Sequence, residues 1–197
     1  GSAASVAGAC ATARVPPPDM DAPRMPFQEH VERLMAHATI VKPDGDGPFP
    51  VALQFHGCGG AKTLQTRWAE SIVAAGWAAV IVDSYAPRGI SYLEALTTVC
   101  LGIRFWGRER AGDVFAAMAW LRDQSWADTQ KVSAIGWSHG GWAVLDALAL
   151  EPGPEAEAAI KLDGLPDAPL EGLSGAFLFY PYLGVGSVAR ETGLRYD

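Results

Sequence analysis

The chain has 197 residues, 49% hydrophobic and 19% charged, with a mean hydropathy of +0.10. That profile fits one packed globular domain and excludes a disordered chain. A net charge of −7 and an isoelectric point near 5.0 argue against nucleic acid, which needs a basic surface to neutralise phosphates. No apolar run reaches the roughly 18 to 20 residues of a spanning helix, so no membrane span is expected.

Gly1-Ser2 reads as the remnant of a cleaved tag, and residues 1–26 as a flexible leader rich in Ala and Pro. Its small residues lean towards a secreted or periplasmic protein, with a faint lipobox at Val6-Ala7-Gly8-Ala9-Cys10. Phe27 to Lys42 alternates enough to suggest one or two antiparallel edge strands, closed by the turn cluster Pro43–Pro48. Val51–Phe55 is a short apolar strand that ends in His56-Gly57-Cys58-Gly59-Gly60. Thr63–Ala75 follows as an amphipathic helix with Leu64, Trp68, Ile72 and Val73 on one face. Trp77–Val82 is a strand, and Arg108–Gln124 a helix with Val114, Phe115, Met118 and Leu121 inward. Val132–Trp137 is a strand, Ser138–Leu150 a helix and Ala176–Tyr180 a strand. Strands alternating with helices of this length require right-handed crossovers and a mostly parallel sheet. Residues 27–197 are expected to form a single three-layer α/β domain.

Gly136-Trp137-Ser138-His139-Gly140 matches G-x-S-x-G between an apolar strand and a helix. A serine there sits on a sharp turn, and the flanking glycines remove side chains that would clash. The turn lifts the hydroxyl clear of the sheet at a helix N-terminus, where developing negative charge is favoured. The glycine-rich segment after Val51–Phe55 lies where backbone N–H groups can converge on one oxygen. We assign the Cys58 and His139 amides as oxyanion donors to a Ser138 nucleophile. A bland alternative for each is an N-cap serine and a glycine turn without a role.

Phe55-His56-Gly57-Cys58-Gly59-Gly60, Val82-Asp83-Ser84-Tyr85-Ala86-Pro87-Arg88-Gly89 and Gly136–Gly141 together resemble the dienelactone hydrolase family of α/β-hydrolases, from roughly Ala38 to Tyr182. The resemblance implies an α/β-hydrolase fold that cleaves a small-molecule ester or lactone through an acyl-enzyme, with no cofactor. Founding members carry cysteine in the elbow where this chain has Ser138, which puts dienelactone itself in doubt as substrate.

Such a serine needs a base and an acid, in chain order after it. The one later histidine is His139, whose side chain leaves the elbow beside Ser138, and Asp163 and Asp167 precede the last strand. About six strands are legible where the full fold has about eight. Three explanations are open: a separate C-terminal fragment that supplies the Asp and His and pairs with Ala176–Tyr180, a truncated sequence, or a degenerate hydrolase. Tyr85, Arg88 and Trp137 are candidate pocket residues, Arg88 as a fork for a carboxylate or as a loop-holding ion pair. Phe105-Trp106 is a candidate lid, and Asp113 is expected to cap its helix or pair with Arg108 or Arg110. Cys58 and Cys100 either form a disulfide or remain two buried thiols, and no ligand spacing supports a metal. Rival functions are amide or peptide hydrolysis with the same groups, or a binding protein that keeps the fold without chemistry.

Overall fold

A computed structural model describes residues 16–184 and 186–195. The leader residues 1–15, with Cys10 and the lipobox reading, and the last two residues lie outside that range. Seven strands are present among the described residues: β1 (Met25–Pro26), β2 (Thr39–Val41), β3 (Phe49–Phe55), β4 (Ala78–Val82), β5 (Ala127–Trp137), β6 (Leu162–Asp163) and β7 (Leu173–Phe179). The helices are α1 (Phe27–Met35), α2 (Thr63–Ala74), α3 (Tyr92–Glu94), α4 (Gly107–Leu121), α5 (His139–Ala149), α6 (Pro154–Ile160) and α7 (Val188–Thr192). A wider π-helical turn, Ala95–Val99, continues α3.

Five strands form one sheet in the order β2-β4-β3-β5-β7, parallel throughout except for antiparallel β2. The period of two along each strand divides the core between the sheet's faces. Val51, Leu53 and Phe55 of β3, Val80 and Val82 of β4, and Val132 and Ala134 of β5 pack with α1, α4, α5 and α6. Ala52, Ile135 and Trp137 point the other way, against Trp68 and Ile72 of α2. Burying a large aliphatic side chain of this kind contributes about 1.5–3 kcal/mol, so these faces dominate the stability. The three-layer α/β architecture with a mostly parallel sheet is therefore as expected.

The segment Phe27–Met35 is a helix, not an edge strand. Phe27, His30, Val31, Leu34 and Met35 recur at the i, i+3, i+4, i+7 and i+8 spacing of one helical face, and all five are buried. Only Thr39–Val41 forms the antiparallel edge. The folded chain also starts before the expected boundary at residue 27: Met25 pairs with Leu162, and Arg24 contacts Asp163 at 2.7 Å. Leu64 is 41% exposed, because the buried side of α2 is carried by Gln65, Trp68, Ala69 and Ile72. Among the described residues β7 pairs with β5 alone, and its apolar run does not make it a buried strand: Phe177 is 58% exposed.

Candidate active site

Strands β3 and β5 are parallel neighbours with Phe55 opposite Gly136, so the loops that leave their C-terminal ends emerge side by side. From β5 the chain turns directly into α5 through Ser138, which has φ 49° and ψ −113°. Positive φ in a non-glycine residue is strained, and the neighbouring bonds hold it in place. The Ser138 amide donates to Phe179 O at 3.0 Å, and Ser138 O accepts from Trp142 N at 3.0 Å and Tyr182 N at 3.1 Å. Glycine is required on both sides of this turn. A Cβ at Gly140 would lie 2.1 Å from Phe55 O, and one at Gly136 would lie 2.7 Å from the Gly141 backbone. The serine itself is half-buried.

The glycine-rich loop after β3 meets this turn: the Cβ position at Gly57 is 3.5 Å from Ser138 Cβ. The Cys58 amide donates to no backbone carbonyl among the described residues, and the His139 amide opens α5, whose first N–H groups have no acceptor within the helix. Neither amide has a backbone acceptor among the described residues, and both belong to segments that meet at the Ser138 turn. Tyr85 stands behind the loop, donating its hydroxyl to Cys58 O at 2.9 Å.

Both nearby histidines are structural. Ser84 N donates to His56 Nε2 at 3.2 Å, which leaves the proton on Nδ1 for Gly57 O at 2.7 Å. Burial, reinforced by the Arg110 guanidinium, holds the His56 imidazole well below its ordinary range. Arg110 also donates to His139 Nδ1 at 3.1 Å, so His139 carries its proton on Nε2 and donates to Phe105 O at 2.9 Å. Burial and then Arg110 push the His139 imidazole down to about 3. Neither ring has a free basic nitrogen to offer Ser138. His30 contacts Asp113 at 2.8 Å, and His37 is exposed at the end of α1.

The role of Arg110, which the sequence suggested only as a possible partner of Asp113, is what sequence reasoning missed. Its guanidinium is fully buried beneath the two loops and donates to Ser84 Oγ at 2.9 Å and His56 O at 2.7 Å as well as to His139. The signal was available: Arg110, Asp113, Val114, Ala117, Met118 and Leu121 fall on one helical face and are all buried. A buried face that begins with two charges marks a polar network beneath a site.

Arg88 does not present a free fork. It grips Asp113 with both terminal nitrogens, at 3.1 Å and 2.8 Å, and donates to Ser84 O at 2.8 Å. The loop-holding ion pair is the role it takes, and Asp113 pairs with Arg88 and His30, not with Arg108 or Arg110. Burial alone would raise the Asp113 carboxyl, but Arg88 and the His30 hydrogen bond outweigh it and hold the group well below the usual carboxylate range. Tyr85 and Trp137 are 5% and 3% exposed, so they pack instead of forming an open pocket wall. Trp137 stacks on Phe179 with ring centroids 5.7 Å apart, on the α2 side of the sheet. Phe105 is buried against Tyr85 and Ile90 and is no lid.

Cys58 and Cys100 form a disulfide, so the two-thiol alternative falls away. A cleft of 790 Å³ runs past Arg33, Arg88, Phe105, Arg108 and Lys161, and Ser138, Cys58 and His139 are not among its lining residues. Two of its cations are paired, Arg88 with Asp113 and Lys161 with Glu109. Among the described residues no cluster of His, Cys, Asp or Glu could hold a metal ion, and no helix is long and apolar enough to cross a membrane.

Comparison with solved structures finds the same fold. Esterase 2 of Thermogutta terrifontis, in a structure phosphorylated by paraoxon, aligns with a TM-score of 0.52 at 19% identity, over 81% of this chain and 56% of that one. A protein described as a dienelactone hydrolase from Klebsiella pneumoniae aligns with a TM-score of 0.53 at 14% identity, over 79% of this chain and 62% of that one. The chain therefore spans somewhat over half the length of these structures, and at such identities the likeness is one of fold. A search of curated proteins gives no match. The sequence profile of the dienelactone hydrolase family matches residues 36–174, from before β2 into β7, and takes in the glycine-rich loop, the elbow and the network beneath them. The chain belongs to the dienelactone hydrolase family.

Proposed function

We propose that this protein is a serine hydrolase that cleaves a small-molecule carboxylic ester or lactone. Ser138 Oγ adds to the carbonyl carbon, the carbonyl electrons pass to oxygen, and the Cys58 and His139 amides hold that oxyanion. The base that takes the Ser138 proton returns it to the departing alcohol as the intermediate collapses, leaving an acyl-enzyme that water then cleaves by the same route. Each amide donor is expected to contribute about 3–4 kcal/mol of transition-state stabilisation. The observation that carries this reading is the strained Ser138 turn beside the glycine-rich loop, where a Cβ placed on Gly57 would lie 3.5 Å from Ser138 Cβ.

The proton acceptor lies outside these residues. All four histidines of the chain are described, and none offers a free ring nitrogen to Ser138: two are buried and engaged, one pairs with Asp113 and one ends α1. We infer that a histidine and its orienting acid are supplied by polypeptide other than these residues, a separate C-terminal fragment being one source. The one-sided pairing of β7 and the exposure of Phe177 support a docking place for it along that edge.

The test is hydrolysis of short p-nitrophenyl esters by the natural full-length protein, beside its Ser138→Ala variant and a matched amide substrate. Turnover of the ester that Ser138→Ala abolishes is the expected result. Preference for the amide would move the reading to amide hydrolysis, and no turnover of either would leave a binding protein. Intact-mass analysis of the natural protein tests the outside source of the histidine: a longer chain or a second polypeptide supports it, and a single species with the mass of these 197 residues counts against it.

A further inference from the structure

The glycine-rich loop that carries one proposed oxyanion donor is short of side chains. Between Gly57 and Gly60 only Cys58 has one, and glycine backbone has little intrinsic preference for a single conformation. Inside the loop, the one backbone hydrogen bond is Gly60 N to Gly57 O, at 3.1 Å. What fixes Cys58 comes from outside: the Tyr85 hydroxyl on its carbonyl and the disulfide to Cys100.

The other proposed donor is tied to the same segment. The His139 side chain donates to Phe105 O at 2.9 Å, so residues 100 to 105 connect Cys58 at one end with His139 at the other. This connecting segment is itself held. Cys100 N donates to Ala95 O at 2.9 Å, Ile103 N to Thr98 O at 2.9 Å, and Trp106 Nε1 to Gly102 O at 2.8 Å. Val99 and Phe105 are buried with Tyr85, while Leu101 and Ile103 are 64% and 66% exposed. The segment is anchored at its two ends, by its backbone and by the ion pair of Arg104 with Glu94.

We propose that the segment from Cys100 to Phe105 is a positioning element that sets the separation and direction of the two oxyanion amides, with the Cys58–Cys100 disulfide as its essential fastening. The proposal rests on the oxyanion reading given above. Removing the disulfide leaves both amides chemically intact but frees the loop, so the loss falls on transition-state binding and not on substrate binding.

The experiment compares the natural full-length protein with Cys58→Ala/Cys100→Ala, which keeps the backbone donors. The expected result is a kcat lower by about tenfold or more, short of the 10²–10³-fold typical for outright loss of a donor, with KM little changed. Fluorophosphonate labelling of Ser138 slows to match, and dithiothreitol reproduces the loss in the wild type but has no effect on the double variant. A lower Tm with unchanged kcat and labelling rate would overturn the proposal and leave the disulfide as a stabiliser alone. Hydrogen exchange provides a readout that needs no catalysis, and it can be followed in the reduced wild type if the double variant fails to fold. The Gly60 and Ser84 amides, bonded to Gly57 O and His56 Nε2, should exchange faster without the disulfide while α4 keeps its protection. Unchanged exchange at both amides overturns the proposal. If the wild type neither turns over esters nor labels, the esterase reading fails, and the exchange result still decides the positioning claim.

Discussion

Adding one methyl group at residue 140 should damage both the fold and the site. In Gly140→Ala the new Cβ would stand 2.1 Å from Phe55 O, 2.6 Å from Phe55 C and 2.7 Å from His56 O. All three are backbone atoms at the end of a central strand, paired on both sides and unable to rotate away. An ordinary contact needs about 1 Å more, so α5 or the glycine-rich loop must shift by about that amount. Overpacking of this kind costs about 1–3 kcal/mol, which for a domain of this size lowers Tm by about 2–12 °C. The same shift separates the Ser138 hydroxyl from the Cys58 amide, and a misplacement of about 1 Å can cost about 10²-fold in rate. Thermal unfolding and the second-order rate of fluorophosphonate labelling measure the two effects on one sample. A variant with wild-type Tm and wild-type labelling would show that the loop and the elbow are not in the contact described, and the argument from glycine spacing would fail.

Asp113→Asn should destabilise by about 3–5 kcal/mol in urea unfolding, because it leaves the Arg88 guanidinium beside a neutral amide and removes the charge that His30 contacts. His139 has a folded value near 3 against an ordinary 6.5, so the unfolded chain binds the proton first. Its contribution is therefore complete above about pH 6.5 and is lost as pH falls towards 3, by a few kcal/mol, and His139→Gln should flatten that acid limb of the unfolding curve. Asp146 behaves in the opposite sense. Burial pushes its carboxyl up to about 6 against hydrogen bonds from Trp142, Ser187 and the Ala189 amide. The unfolded chain then loses the proton first, so this group's contribution declines as pH rises from about 4 to about 6. The stability difference between wild type and Asp146→Asn, measured across that window, should show the decline.

Much of the fold could be read from residue order because the strands are short apolar runs with a period of two, and the helices between them are long enough to cross over. The elbow was legible for a related reason: glycine at 136 and 140 is a steric requirement, and such requirements leave a mark in the sequence. Phe27–Met35 misled because its polar and apolar residues also satisfy a loose alternation. The i, i+3, i+4, i+7 spacing of its buried residues was the stronger signal. The partner of Arg88 was beyond reach, since Asp113 lies 25 residues away and meets it only once α4 has packed on the sheet. Arg110 was hidden in a similar way, as its acceptors His56 O, Ser84 Oγ and His139 Nδ1 come from two separate loops and the start of α5. Cys58 and Cys100 left both alternatives open because pairing depends on a closeness that 42 residues of spacing do not reveal.

The most direct test of the central claim is to treat the folded, natural full-length protein with a fluorophosphonate and map the adduct by peptide mass spectrometry. The account predicts a single adduct on Ser138, formed at a rate that saturates with the deprotonation of a histidine and absent from Ser138→Ala. No adduct, or an adduct on another residue that survives Ser138→Ala, would contradict it.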